Sequence, residues 1–83
     1  MIELQKNSME KLRLQLSEFR GQKLVDIRVW VRNDNDEPIA TRKGIAFKMD
    51  MWPEFLRALR KLEEEMLEAG IIKREDLEIS ETQ

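Results

Sequence analysis

In the segment Asp26-Ile27-Arg28-Val29-Trp30-Val31-Arg32 an indole stands between two guanidiniums, each two residues away. Alternate residues of an extended chain share a face. Arg28, Trp30 and Arg32 therefore point one way, and Ile27, Val29 and Val31 the other. The chemistry open to the first set is physical, not covalent: a ring on which a flat group stacks, beside cations that hold an anion. Phe19, Arg20, Arg42 and Lys43 add a second aromatic and three more cations at strand ends and turns. Bond-making chemistry is poorly supplied. The 83 residues contain no His and no Cys, which removes the commonest general base, the thiol nucleophile and every Cys/His zinc site. Ser8, Ser17 and Ser80 have no evident base partner. Asp34, Asp36 and Glu37 crowd the turn "NDNDEP", but a calcium loop needs a glycine and a terminal glutamate that this turn lacks. The three glycines stand too far apart for a phosphate loop. The chain reads as a binding protein and not an enzyme, with no cofactor and no metal ion.

The elements that must position these side chains follow from periodicity. Residues 1–11 are polar with scattered apolar positions and read as a flexible N-terminal segment. Leu12, Leu14 and Leu16 alternate with Arg13, Gln15 and Ser17, a strand pattern. "FRGQK" is a turn centred on Gly21, and residues 24–32 are the strongest strand in the chain. "NDNDEP" opposes further strand. A third strand is expected over 39–42, and Gly44 then allows a turn or bulge into a short fourth through Ile45, Phe47 and Met49. After Asp50 the period changes to near 3.6. Trp52, Phe55, Leu56, Leu59, Leu62 and Met66 fall on one helical stripe. Asp50 is a candidate N-cap, Pro53 suits a first turn, and Gly70 is a natural stop. The helix is expected from near 51 to 69. The fold class is α+β, in the order β-β-β-β-α: a four-stranded antiparallel sheet plus one C-terminal amphipathic helix, with one covered face and one open face. Residues 12–69 form the working domain, and 70–83 an acidic C-terminal tail.

A domain of this size buries only about 60–65% of its unfolded surface, and no disulfide can supplement its core. The helical stripe is wider than a short sheet covers. Trp52, Phe55, Leu59, Leu62 and Met66 are therefore expected to serve both the core and a homodimer contact. No apolar run approaches the roughly 20 residues that cross a bilayer, and the N-terminus lacks a signal-peptide core. A cytoplasmic protein without a membrane partner is expected, nucleoid-associated in a bacterium or nuclear in a eukaryote. The net charge of −2 hides an asymmetry. Residues 1–62 carry 13 Lys/Arg against 9 Asp/Glu, and residues 63–83 carry 2 against 8. A basic body with interleaved aromatics suits single-stranded nucleic acid: bases stack while Lys and Arg track phosphates. A flexible strand suits an open sheet, whereas duplex readers usually present a helix. Two other readings stay open, an RNA-binding module and an adaptor whose sheet grips an acidic protein partner. Trp30 serves either stacking or the core.

The ordered set "FRG..LVDIR", "RKGIAF" and "W..FL" resembles the positive cofactor four family of transcriptional coactivators over about residues 12–66. That resemblance implies a homodimer of curved four-stranded sheets, with the helices forming much of the interface and single-stranded DNA crossing both sheets. It implies that Phe19 stacks bases and that Arg20, Arg28, Arg42 and Lys43 contact phosphates. Trp30 and Arg32 join this nucleic-acid-binding set, with Arg13, Lys23 and Lys48 as peripheral contacts. Transcription or repair machinery is the implied protein partner. The chain departs from the family pattern at Val31, where a second stacking aromatic is common, the aromatic here standing one place earlier at Trp30. Ile39 and Gln22 replace basic residues. The long Ser- and Lys-rich regulatory tail of eukaryotic members is absent, as in a compact bacterial or phage member.

Overall fold

The computed structural model describes residues 1–78. The chain divides after Trp52 into two compact units. The first is one antiparallel sheet in the order β1-β2-β3-β4, with β1 at Ile2–Gln5, β2 at Lys11–Phe19, β3 at Gln22–Arg32 and β4 at Pro38–Lys48. A 3₁₀ turn over Met49–Met51 follows. The α-helix α1 runs Trp52–Glu68, and a single turn, α2, covers Arg74–Leu77.

Local chemistry explains the turns. Phe19 pairs with Gln22, which leaves Arg20 and Gly21 as a two-residue turn with φ of 52° and 79°. Two positive φ angles match the right-handed twist of a hairpin, and Gly21 adopts its angle at no steric cost. Between β3 and β4 the Asn33 side chain builds the turn. Its Oδ1 accepts the backbone N–H of Asn35 (2.9 Å) and of Glu37 (3.0 Å). The Asn7 Oδ1 does the same before β2, accepting from Met9 and Glu10. Asn at these places offers the backbone a side-chain partner that a strand cannot.

β4 is the least regular strand. Arg28 opposes Gly44 but Trp30 opposes Ala40, so residues 41–43 face Val29 alone. The Thr41 hydroxyl donates to the Val29 carbonyl (2.8 Å) and accepts the Lys43 N–H (3.1 Å). Gly44 is required here by closeness. A Cβ would stand 2.8 Å from the Arg28 Cα and nearer still to the Ile27 carbonyl oxygen.

The order β-β-β-β-α is the expected one, with three corrections to the elements. Residues 2–5, read as flexible, form β1. Ile2 pairs with Leu14 and Leu4 with Leu12, so this strand is fixed by β2 and not by its own short pattern. The expected third and fourth strands are one, because the 41–43 bulge absorbs the break in alternation inside a continuous ladder. Asp50 lies within the 3₁₀ turn, whose N-cap is Lys48. At the other end α1 stops as expected. Ile71 N–H donates to the Met66 carbonyl (3.0 Å) and Gly70 N–H to that of Leu67 (3.1 Å), a Schellman pair that satisfies two terminal carbonyls. Of the acidic tail, Arg74–Leu77 is helical, with the Asp76 carboxylate accepting the Lys73 N–H (2.9 Å). Residues 79–83 lie outside the described residues.

The register sorts one face of the sheet into apolar rungs. Ile2, Leu14, Ile27 and Ile45 line up across four strands, and Leu16, Val25 and Phe47 across three. Val29 alone among the described residues is buried, at 6% exposure, while Leu16 is 76% exposed. An apolar cavity of about 440 Å³ on this face is lined by Leu14, Leu16, Val25, Ile27, Met49 and Trp52 among others.

Candidate nucleic-acid interface

The opposite face is polar and basic, and it too is built rung by rung. Glu3, Arg13, Arg28 and Gly44 stand in line across all four strands, and Gln5, Lys11, Trp30 and Ala40 form the next rung. Arg32 pairs with Pro38 at one end, and Lys48 pairs with Leu24 toward the other. Phe19 closes β2 on the same face and is 61% exposed, with the Arg20 guanidinium 5.1 Å from its ring centre. Seven of the expected residues thus come together or adjoin: Arg13, Phe19, Arg20, Arg28, Trp30, Arg32 and Lys48. Lys23 does not. It pairs with Glu18 on the apolar parity of the strands, because an even–odd difference decides the face.

Arg13 and Arg28 are directly opposed, an arrangement that repels unless each cation is offset. Each is. Arg13 Nε donates to Glu3 Oε2 at 2.7 Å, and its Cζ lies 4.1 Å from the centre of the Trp30 ring. Arg28 Nε donates to Asp26 Oδ1 at 3.1 Å, and its Nη1 to the Thr41 carbonyl at 3.2 Å. The Asp and Arg of "DIR" therefore pair along one strand, two residues apart on one face, and the arginine also ties down the β4 bulge. Lys11 Nζ is 3.3 Å from the other Glu3 oxygen. The Arg13 hydrogen bond, more than the contact with Lys11, holds the Glu3 carboxyl below the usual carboxylate range. The indole Nε1 of Trp30 is sealed from solvent and has no hydrogen-bond acceptor among the described residues.

At the bulge, Lys43 Nζ lies 3.5 Å from Glu10, a carboxylate that also accepts from Asn7 Nδ2 (2.7 Å) and Lys6 Nζ (3.0 Å). These contacts, the Asn7 hydrogen bond first, pull the Glu10 pKa down to about 2. Arg32 Nε is 3.7 Å from Asp36 Oδ1. Arg42 is exposed and makes no ion pair among the described residues. A groove of about 380 Å³ opens at this end of the face, lined by residues that include Glu3, Lys11, Arg13, Trp30 and Val31. Trp30 and Val31 thus border one groove despite opposite parity. On α1, Leu59 and Leu62 are 43% and 50% exposed and Trp52 38%, while Phe55 and Met66 are half-buried.

Sequence reasoning missed Glu3, Glu10 and Lys11. The alternation of Ile2 and Leu4 with Glu3 and Gln5 is the one signal that could have found the first, and four residues are too few to stand out. Nothing local marks Glu10, whose partner Lys43 is 33 positions away along the chain. Among the described residues no cluster of His, Cys, Asp and Glu could hold a metal ion, and no helix is long and apolar enough to cross a membrane.

No curated protein sequence matches the chain. Solved structures do. A PC4 homologue from Burkholderia pseudomallei superposes with a TM-score of 0.68 in its orthorhombic crystal form, at 22% identity over 76% of this chain and 85% of that one. The tetragonal form gives 0.69 at the same identity, covering 93% of that chain. The bacteriophage T5 homologue of the eukaryotic coactivator PC4, implicated in recombination-dependent DNA replication, is 30% identical over 95% of this chain and 94% of its own, with a TM-score of 0.68. The family model described as Transcriptional Coactivator p15 (PC4) matches residues 6–58, which take in the whole ladder from β2 to β4 and the start of α1. On that match, and on a sheet whose two faces divide into apolar and basic rungs, the chain belongs to the PC4 family.

Proposed function

We propose that this chain is a homodimer that binds single-stranded DNA, without strong sequence preference, on the basic face of its sheet. The observation that carries the reading is the sorting of the rungs: Lys11, Arg13, Arg28, Arg32 and Lys48 share one face with Trp30 and Phe19, and the apolar rungs take the other. Phe19, exposed at the hairpin end, stacks bases. Arg20, Arg42 and Lys48 contact phosphates directly. Arg28, Arg32 and Lys43 offer the donors left over from their pairing with Asp26, Asp36 and Glu10. Stacking is worth about 1–3 kcal/mol per base, and each phosphate neutralised on a single strand adds roughly 0.7 to the salt slope.

The exposed apolar rungs and the exposed Leu59 and Leu62 support self-association, since a lone chain leaves these groups in water. Coactivation and recombination-dependent replication, attributed to relatives, both use such a module. Binding to oligo-dT and to duplex at two salt concentrations tests the reading. Tighter binding to the single strand, weakening with salt, is expected; no binding to any nucleic acid at low salt overturns it. Equal affinity for a ribo-oligonucleotide would widen the ligand to RNA. Binding to acidic peptides alone would transfer the face to a protein partner.

A further inference from the structure

We propose that the groove beside β1 is a subsite for one nucleotide, whose base stacks on the guanidinium of Arg13. The proposal rests on the reading of this face as a single-strand surface and adds to it a named second stacking position, distinct from Phe19. Arg13 is fixed from two sides. Its Cζ lies 4.1 Å from the centre of the Trp30 ring, within the range where a ring attracts a cation. Its Nε donates to Glu3 Oε2 at 2.7 Å. Glu3 in turn is held by Lys11, 3.3 Å from its other oxygen. A guanidinium held over an indole and by a carboxylate offers its own plane as a platform, because RNA- and DNA-binding proteins stack unpaired bases on arginine planes as they do on aromatic rings.

The groove has the size and charge for such an occupant. It measures about 380 Å³ and is lined by Glu3, Gln5, Ser8, Lys11, Arg13 and Trp30, among others. Pockets that hold small ligands run from about 300 to 1,000 Å³, and this one, near the lower end, has room for a single nucleotide. Lys11, Arg13 and Arg32 border it against the carboxylates of Glu3 and Asp36, leaving it cationic for a phosphate. Trp30 is a costly choice for packing alone. Its Nε1 is sealed from solvent with no acceptor among the described residues, a loss that phenylalanine would avoid. What the indole supplies in return is the strongest ring for holding a cation.

Two variants test the subsite by affinity for a dT oligonucleotide. Arg13→Lys keeps the charge and a partner for Glu3 but removes the plane. Binding is expected to weaken about 5- to 150-fold, the loss of one stacked base, with the same slope of affinity against salt. Glu3→Gln removes a negative charge from the face, so a purely electrostatic role for this pair predicts tighter binding. Release of Arg13 from its fixed position predicts weaker binding, by severalfold. Wild-type affinity in Arg13→Lys, or a gain in Glu3→Gln, overturns the subsite while leaving the single-strand reading intact. A wild-type protein that binds no oligonucleotide overturns that reading, and the subsite with it.

Discussion

Phe19 and Arg28 are equally prominent in the sequence but sit in different surroundings, and their variants should separate accordingly. Phe19 is exposed at a strand end, with the Arg20 guanidinium over its ring. Phe19→Ala should therefore lower single-strand affinity by about 1–3 kcal/mol and leave the melting temperature nearly unchanged; a titration and a melt on one sample check both. Arg28 binds Asp26 and the Thr41 carbonyl. Arg28→Ala takes its donor from a half-buried carboxylate and one hydrogen bond from the Thr41 carbonyl, so it should cost about 1–3 kcal/mol of stability as well as affinity. Glu10 makes a pH prediction. Its pKa falls from the ordinary 4.5 to about 2 on folding, so its contacts contribute stability above pH 4.5 that is lost as pH falls toward 2. The melting temperature of Glu10→Gln should fall less steeply than that of the wild type across that window. Parallel curves would mean that the Asn7, Lys6 and Lys43 contacts add nothing.

At the scale of elements, β4 turns on one residue. Any side chain at Gly44 meets the backbone of β3 at Ile27 and Arg28, and backbone cannot step aside as a flexible side chain can. Gly44→Ala should cost about 1–3 kcal/mol, a drop of several degrees in melting temperature for a domain of this size, and should loosen the bulge that presents Arg42 and Lys43. An unchanged melt would show that β3 and β4 can part at no cost. The alternation of β3 and the 3.6-residue period of α1 are long enough to be read from sequence. β1 is not, because four residues carry too little pattern and its place depends on Leu12 and Leu14 of the neighbouring strand. The bulge escaped for a related reason. Thr41 joins Lys43 to Val29, a long-range contact that turns two expected strands into one.

At the scale of the whole molecule, a lone chain with one buried residue among those described has little to hold it together. Sedimentation at micromolar concentration should give twice the chain mass. Leu62→Glu, which puts a charge on the half-exposed stripe of α1, should shift the protein toward monomer and weaken single-strand binding with it. A fully dimeric Leu62→Glu would move the contact to the apolar rungs of the sheet, where Leu16→Glu is the matching test.

Sequence alone determined that this chain alternates basic and apolar residues on a strand, turns at "FRG" and "NDNDEP", and follows its strands with an amphipathic helix. These are local properties: backbone geometry sets a period of two or 3.6, and side-chain type then decides which face is which. Only the tertiary structure decided which cations remain free. Glu3 reaches Arg13 and Lys11 across one strand boundary, and Glu10 reaches Lys43 across the sheet. Trp30, conspicuous in sequence and ambiguous there between core and surface, lies on the basic face as the bed for Arg13. The pairing of Glu3 with Arg13 is settled by register, and register is a property of two strands at once.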